Sequence, residues 1–466
     1  MELAELTLTE AARSLRDGDV TAEAYAAALL DRGAALARLN AFIAQDRDAV
    51  LVAARAADLK RRDGGELGAL HGVPLAIKDN LDCVGYATTG GTPALRHHRP
   101  RHNAPVVQTL LDAGAIVLGK ANMHELAFGI TNNNAAFGPA RNPYDPSRIP
   151  GGSSGGTGAA IGAWLAPAGI GTDTGGSVRI PAALCGIVGL RPSLGRWPQA
   201  GILPISHTRD TAGPMTRDVA DCVLLDAVVT GGNALLASHA AAALRLGVPR
   251  QFFCEPLDDE VARLFEAFLG ALRAAGVTLI EVDLHAAQAL NNRAGGPISR
   301  YEARHDIAAY FADHGIDLGF DDLVERIAGP DVKAILAGSR HFTEADYRQA
   351  LIADRPALQE LYADCMTRHG LTALIFPTTP LPAATIGEDD TTMMNGRPVP
   401  TFATFARNTG PGSVAGLPGL ALPIGLTAAG LPVGIELDGP PGSDRGLLAA
   451  GLTLERIAGP LPGPRL

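Results

Sequence analysis

The 466-residue chain is poor in aromatic residues, at 5%, and holds only 2 tryptophans. Cysteine is scarce as well. Cys83, Cys185, Cys222, Cys254 and Cys365 stand far apart, without a CxxC pair. An odd, scattered set excludes a full disulfide framework and points to a reducing compartment. A basic excess is also missing: 39 lysines and arginines face 49 acidic residues, for a net charge of −10. That balance argues against a surface built for nucleic acid or an anionic membrane. Long apolar runs are absent. The longest weakly polar stretch, 159–171, is too short to span a bilayer and carries Gly and Pro. The opening MELAELTLTEAARSLRDGD is charged throughout and lacks the basic-then-apolar order of a signal peptide. The expectation is a soluble, cytoplasmic enzyme with no nucleic-acid or membrane partner.

What the chain does have is length and apolar content. At 47% hydrophobic it excludes disorder and can bury a large core without staples. With 55 glycines and 33 prolines it reads as loop-rich. Residues 1–60 read as helices, with Leu8, Ala12 and Leu15 on one face and Thr21 as an N-cap. Three short apolar runs follow, LHGVPLAIKDN, GAIVLGKANM and WLAPAGIGTD, separated by helical stretches. That alternation predicts an α/β fold, strands in one sheet with helices on its faces. Over 257–369 the chain reads as a helical insertion or cap, with Val261, Leu264, Phe265 and Phe268 on one face. TALIFPTTP returns to a buried strand, and Gly419 to Leu437 reads as a β-hairpin. The organisation is one unit, 1–466: N-terminal helices, a core over 68–240, the helical part, and the rest of the core over 372–466. No internal repeat or low-complexity tract is present.

Two glycine clusters stand out, IPGGSSGGTG at 149–158 and GIGTDTGGSVRIPAALCG at 169–186. A flexible linker is the plain explanation of GGSSGG. Both clusters lie inside apolar, strand-and-helix sequence, where a linker would separate nothing. Glycine there means backbone that bends sharply or approaches a ligand. In TDTGGS a strand ends near Asp173, and a helix starts near Arg179 with Pro181 in its first turn. Between them, the N–H groups of Thr174, Gly175, Gly176 and Ser177 can converge as a nest for an oxyanion. A phosphate loop fails because GxxxxGK[ST] is absent, and a Rossmann fingerprint fails in spacing and context.

A serine nucleophile needs a base. Twelve histidines leave a Ser-His-Asp set open, although the GxSxG elbow is missing. The cluster RHHRPRH, 96–102, interleaves arginines that repel cations and reads as a solvated loop, so no metal is expected. The remaining candidate is Lys78, at the end of VPLAI. A lone lysine there is usually structural, but desolvation would lower its pKa, and Ser–Lys pairs are known.

Together HGVPLAIKDN, GAIVLGKANMHELAFG, FGPARNPYDPSRIPGGSSGG, GTDTGGSVRIPAALCG and TRDTAGPMTRDVAD resemble the amidase signature family over nearly the whole chain. The resemblance implies one large α/β domain with a mixed central sheet. It also implies a Ser-cisSer-Lys triad of Lys78, Ser153 and Ser177, with a cis bond at Gly152–Ser153. Ser177 would form the acyl-enzyme, and Lys78 would take the proton through Ser153. The N–H groups from Thr174 to Ser177 would form the oxyanion hole. Asp173, Arg179 and Ser154 would brace the loop, and Ala127 and Phe128 would line the acyl site. No cofactor is implied. NMHELAFGITNNN, with its His124, and RNTGPGSVAGLPGLALPIGL are similar to the branch that releases ammonia from arylacetic-type amides such as indoleacetamide and mandelamide. Carbamate-cleaving and aryl-acylamide members share much of this pattern, and amidotransferase subunits share the triad. A homodimer is the default from general oligomer statistics.

Overall fold

The computed structural model describes residues 2–466. Its first helices, Leu8–Asp17 and Ala22–Ala35, start where threonines cap them. Thr21 Oγ1 accepts the Ala24 N–H at 3.1 Å, satisfying a donor that the helix start leaves over. Leu8, Ala12 and Leu15 are buried on one face.

Eleven strands form a single mixed sheet. In chain order they are β1 (Phe42–Ala44), β2 (Pro74–Lys78), β3 (Ile116–Ala121), β4 (Ala168–Asp173), β5 (Val188–Arg191), β6 (Thr211–Thr216), β7 (Arg245–Pro249), β8 (Thr278–Val282) and β9 (Ala373–Pro377), then β12 (Gly419–Leu426) and β13 (Pro432–Asp438). A separate ribbon pairs β10 (Thr391–Met394) with β11 (Arg397–Pro400). The sheet order is β1-β3-β2-β4-β6-β5-β12-β13-β9-β7-β8. The flanks β3-β2-β4 and β9-β7-β8 are parallel, and the middle is antiparallel. Strands β2, β4 and β9 are buried along their whole length, because helices cover both faces. Their near-continuous apolar sequence follows from that.

Register sets up the site. Strands β2 and β4 run parallel, with Leu75 opposite Ala168 and Ile77 opposite Ile170. Lys78 and Thr172 therefore arrive together at the carboxyl ends of neighbouring strands, where open α/β sheets place their ligands.

Three expectations need correction. Residues 1–60 are not wholly helical, because Phe42–Ala44 forms β1 and adds an antiparallel edge beside β3. The run WLAPAGIGTD becomes strand only from Ala168, because Trp164 sits in a turn at φ 58°. The stretch 257–369 is not wholly helical: after the helix Asp259–Ala274 comes β8, which extends the sheet beside β7. The remainder is helical and is led by the long helix Ala286–His314. All five cysteines are free and buried. Among the described residues, no helix is long and apolar enough to cross a membrane.

Candidate active site

Lys78 closes β2 and is fully buried. Its Nζ lies 2.7 Å from Ser153 Oγ, 2.8 Å from Thr172 Oγ1 and 3.4 Å from the Thr172 carbonyl oxygen. Burial pushes the amine down to about 7, although Asp173 and Asp210 pull it partly back. A neutral amine has two N–H bonds and one lone pair. The Thr172 carbonyl can only accept, so one of the two hydroxyls must donate to that lone pair. Asn80 Nδ2 lies 3.1 Å from Thr172 Oγ1 and fixes that hydroxyl from the other side.

Ser153 follows a cis peptide bond from Gly152. Ser154 is tied to β4: its Oγ donates to the Thr172 carbonyl at 3.2 Å, and its N–H donates to the Ser177 carbonyl at 3.1 Å. That last bond sets Ser177 beside the serine pair. Ser177 lines a cavity, and no side-chain hydrogen bond joins it to Ser153 among the described residues. The following helix, Gly155–Gly162, crosses close to its neighbours. A Cβ on Gly156 would lie 2.3 Å from the Asn122 carbonyl oxygen, so only glycine fits.

The turn after β4 is organised by Asp173. Its carboxylate accepts the Gly176 N–H at 2.8 Å and the Val178 N–H at 3.1 Å. Arg179 reaches it twice at 3.0 Å, and Arg191 Nη1 once at 3.0 Å. Burial alone would raise the Asp173 carboxyl, but the two guanidinium groups hold it far below the usual range. Arg179 also bonds Glu436 and, at 2.6 Å, Ser413 Oγ. Gly176 has φ 130°, and a Cβ there would meet Thr409 Oγ1 at 2.2 Å.

This arrangement corrects the oxyanion set. The Gly176 N–H already serves Asp173, because a buried carboxylate must be satisfied. The N–H groups of Thr174, Gly175 and Ser177 have no protein acceptor among the described residues. Thr174 is itself held: its hydroxyl donates to Asp210 at 2.5 Å, and its carbonyl accepts from Arg209 at 3.0 Å.

Ser177, Thr174 and Gly175 open onto a cavity of about 380 Å³. Phe128, Ile130, Ile205, Ile335 and Phe402 give it an apolar wall. Ala127 lines it too, in a turn where Leu126 and Ala127 take φ 51° and 62°. The preceding His124 and Glu125 reach away from the cavity to the helix Pro330–Ala337. His124 Nε2 lies 2.9 Å from Asp331 Oδ2, and Glu125 accepts the Ala328 and Gly329 N–H groups at 3.1 and 2.7 Å. The turn bearing Phe128 and the helix bearing Ile335 thereby form one wall. The earlier turns of Ala286–His314 supply the opposite, more polar side through Asn291 and Arg300. Sequence reasoning missed Thr172, Asn80, Asp210 and Arg191. Thr172 and Asn80 sit within two residues of positions already singled out; nothing local marks the other two.

Lys78, Ser153 and Ser177 thus gather near the ends of β2 and β4 beside an apolar cavity, a candidate site on an α/β sheet. A family model described as Amidase matches residues 24–448, and the chain belongs to that family, whose members cleave amide C–N bonds. The chain is 43% identical over 453 residues to an indoleacetamide hydrolase of Agrobacterium vitis, covering 97% of this chain and 96% of the relative. It is also 43% identical over 485 residues to a mandelamide hydrolase of Pseudomonas putida, covering 99% and 93% respectively. A crystal structure of an amidase superposes with a TM-score of 0.89 at 36% identity, covering 97% of this chain and 100% of the other.

Proposed function

We propose that this amidase hydrolyses small aromatic or aryl-alkyl primary amides, of the indoleacetamide or mandelamide kind, to carboxylate and ammonia through an acyl-enzyme on Ser177. The observation that carries the reading is the buried Lys78 amine bonded to Ser153, beside Ser177 at the mouth of an apolar cavity. In the first half-reaction Ser177 Oγ attacks the amide carbonyl. Its proton passes to Ser153, and the Ser153 proton passes to the neutral Lys78. The carbonyl oxygen becomes an oxyanion that the N–H groups of Thr174, Gly175 and Ser177 can receive. Collapse breaks the C–N bond, and the proton returns through Ser153 to the leaving nitrogen. Water then repeats the sequence on the ester and frees the carboxylate.

An aryl ring suits the wall of Phe128, Ile205 and Ile335, and a primary amide leaves only ammonia to depart. The test is steady-state assay of the purified chain on indoleacetamide, mandelamide, a peptide amide, an anilide and a carbamate, with mass detection of the acylated serine. Turnover of the first two with acyl mass on Ser177 supports the reading. Preference for the anilide or carbamate, no turnover without a partner protein, or acylation elsewhere overturns it.

A further inference from the structure

We propose that Asp82, His98 and His314 form a binding site for a divalent transition-metal ion of the zinc class. The site lies outside the amidase cavity and is independent of the substrate reading. His98 belongs to the RHHRPRH loop, which reads from sequence as solvated. Arg96, His97, Arg99, Arg101 and His102 are indeed exposed, but His98 turns inward and is half-buried. It meets Asp82, in the buried segment after β2, and His314, which ends the helix Ala286–His314. One ligand atom from each residue lies within 4.8 Å of the other two.

The hydrogen bonds single out the chemistry. His314 Nδ1 lies 2.8 Å from the Tyr310 carbonyl oxygen, which can only accept, so Nδ1 carries the hydrogen. In the neutral ring Nε2 is then a bare lone pair. It faces Asp82 Oδ2, also a lone-pair donor, at 2.8 Å. Two such atoms repel at this distance unless they share a cation, either a proton or a metal. The backbone-anchored imidazole is the arrangement that presents Nε2 to zinc. Tyr310 donates its hydroxyl to the other oxygen, Asp82 Oδ1, at 2.6 Å, as outer partners of ligand carboxylates do. His98 Nε2 stands 3.3 Å from the same hydroxyl. Two imidazoles and one carboxylate make a borderline-soft set, with a fourth position left for water. The nearby Lys120 is committed elsewhere, to the Leu81 and Ala87 carbonyls at 2.7 and 3.2 Å. A bound ion would staple the segment that follows Lys78 at the end of β2 to the end of a helix whose earlier turns line the cavity.

The test uses the full chain, stripped with a chelator and titrated with Zn²⁺ by calorimetry and with Co²⁺ by visible absorption. One equivalent should bind, Co²⁺ should show the intense d–d bands of a tetrahedral site, and the melting temperature should climb with free Zn²⁺. His98→Gln and His314→Asn should each weaken binding at least tenfold and remove the bands, whereas His97→Gln, at the exposed neighbour, should change neither. His98→Gln removes a loop side chain and keeps the test decisive if the helix variant misfolds. No stoichiometric uptake, which would leave a proton as the shared cation, overturns the proposal. So does uptake that survives His98→Gln.

Discussion

Lys78 and Arg179 are two fully buried basic side chains, one closing β2 and one just beyond β4, and their surroundings are opposite. Arg179 touches the carboxylates of Asp173 and Glu436, which hold its charge in place. Lys78 touches two hydroxyls and a carbonyl, with no carboxylate in contact among the described residues, and its amine is pushed down to about 7. The paired charge makes a rigid turn whose free N–H groups keep their direction. The unpaired one is left able to give or take a proton near neutral pH. One side of the site is built to stay charged and the other to change charge.

The contrast can be broken most severely at the reactive side. Ser177→Ala should lower kcat by roughly 10⁴–10⁶-fold, and Lys78→Ala by a similar factor, because groups acting as a unit are not additive. The double variant should then be hardly slower than either single one. Lys78→Arg should not rescue, since a guanidinium does not give up its proton. Retained turnover in Ser177→Ala, read as product release with acyl trapping, would remove it as nucleophile.

At the rigid side, Arg179→Met should cost about 3–5 kcal/mol of stability, because it strands buried carboxylates without their partner. Urea denaturation reads this loss directly. The expected signature is lost stability first, with activity falling only as far as the turn loosens. A variant as stable as the parent would show that Arg191 alone satisfies Asp173.

Charge on Lys78 also sets a pH dependence. If the neutral amine is the base, the rate rises with pH through about 7 and falls about tenfold per unit below it. Stability should move the same way. The folded amine is lowered from its usual 10.5, so between about 7 and 10.5 the unfolded chain holds a proton that the folded chain lacks. Stability therefore rises with pH across that window. Lys78→Met, compared by urea midpoints at pH 7 and pH 9, should lose that rise. A parent midpoint that does not climb relative to the variant contradicts the lowered amine.

What the sequence disclosed follows the same division. Ser153 and Ser177 sit in glycine clusters odd enough to be noticed alone, whereas Lys78 by itself reads as a structural lysine and the role of Ser153 comes only with the family resemblance. Asp173 and Arg179 are near in sequence and could be paired by eye. Arg191 and Glu436 could not, because they lie on β5 and β13, and only the sheet order brings those strands to the turn. The engaged Gly176 N–H was hidden for a related reason: a backbone donor's partner is fixed by φ and ψ, not by residue type. Strand β8 escaped notice because it is a sheet edge, where partial exposure blurs the two-residue alternation. The hairpin β12–β13, paired on both sides, was plain.

The mildest break concerns the cavity wall. Ile335 belongs to the helix Pro330–Ala337, whose approach is fixed by Glu125 on two N–H groups and by His124 on Asp331. Because that helix is held from behind, Ile335→Ala should leave a hollow that the wall does not close. An aryl group then loses apolar contact in the transition state, whereas a short aliphatic amide never reached it. The expected result is about a tenfold loss in kcat/KM for arylacetamides, with acetamide nearly unchanged, in line with the few kcal/mol that a hydrophobic pocket can discriminate. The ratio of the two substrates is the informative quantity, because a general loosening of the fold would lower both. If the ratio stays unchanged, Ile335 does not contact the aryl group, which then sits elsewhere, against Phe402 or the polar side at Asn291.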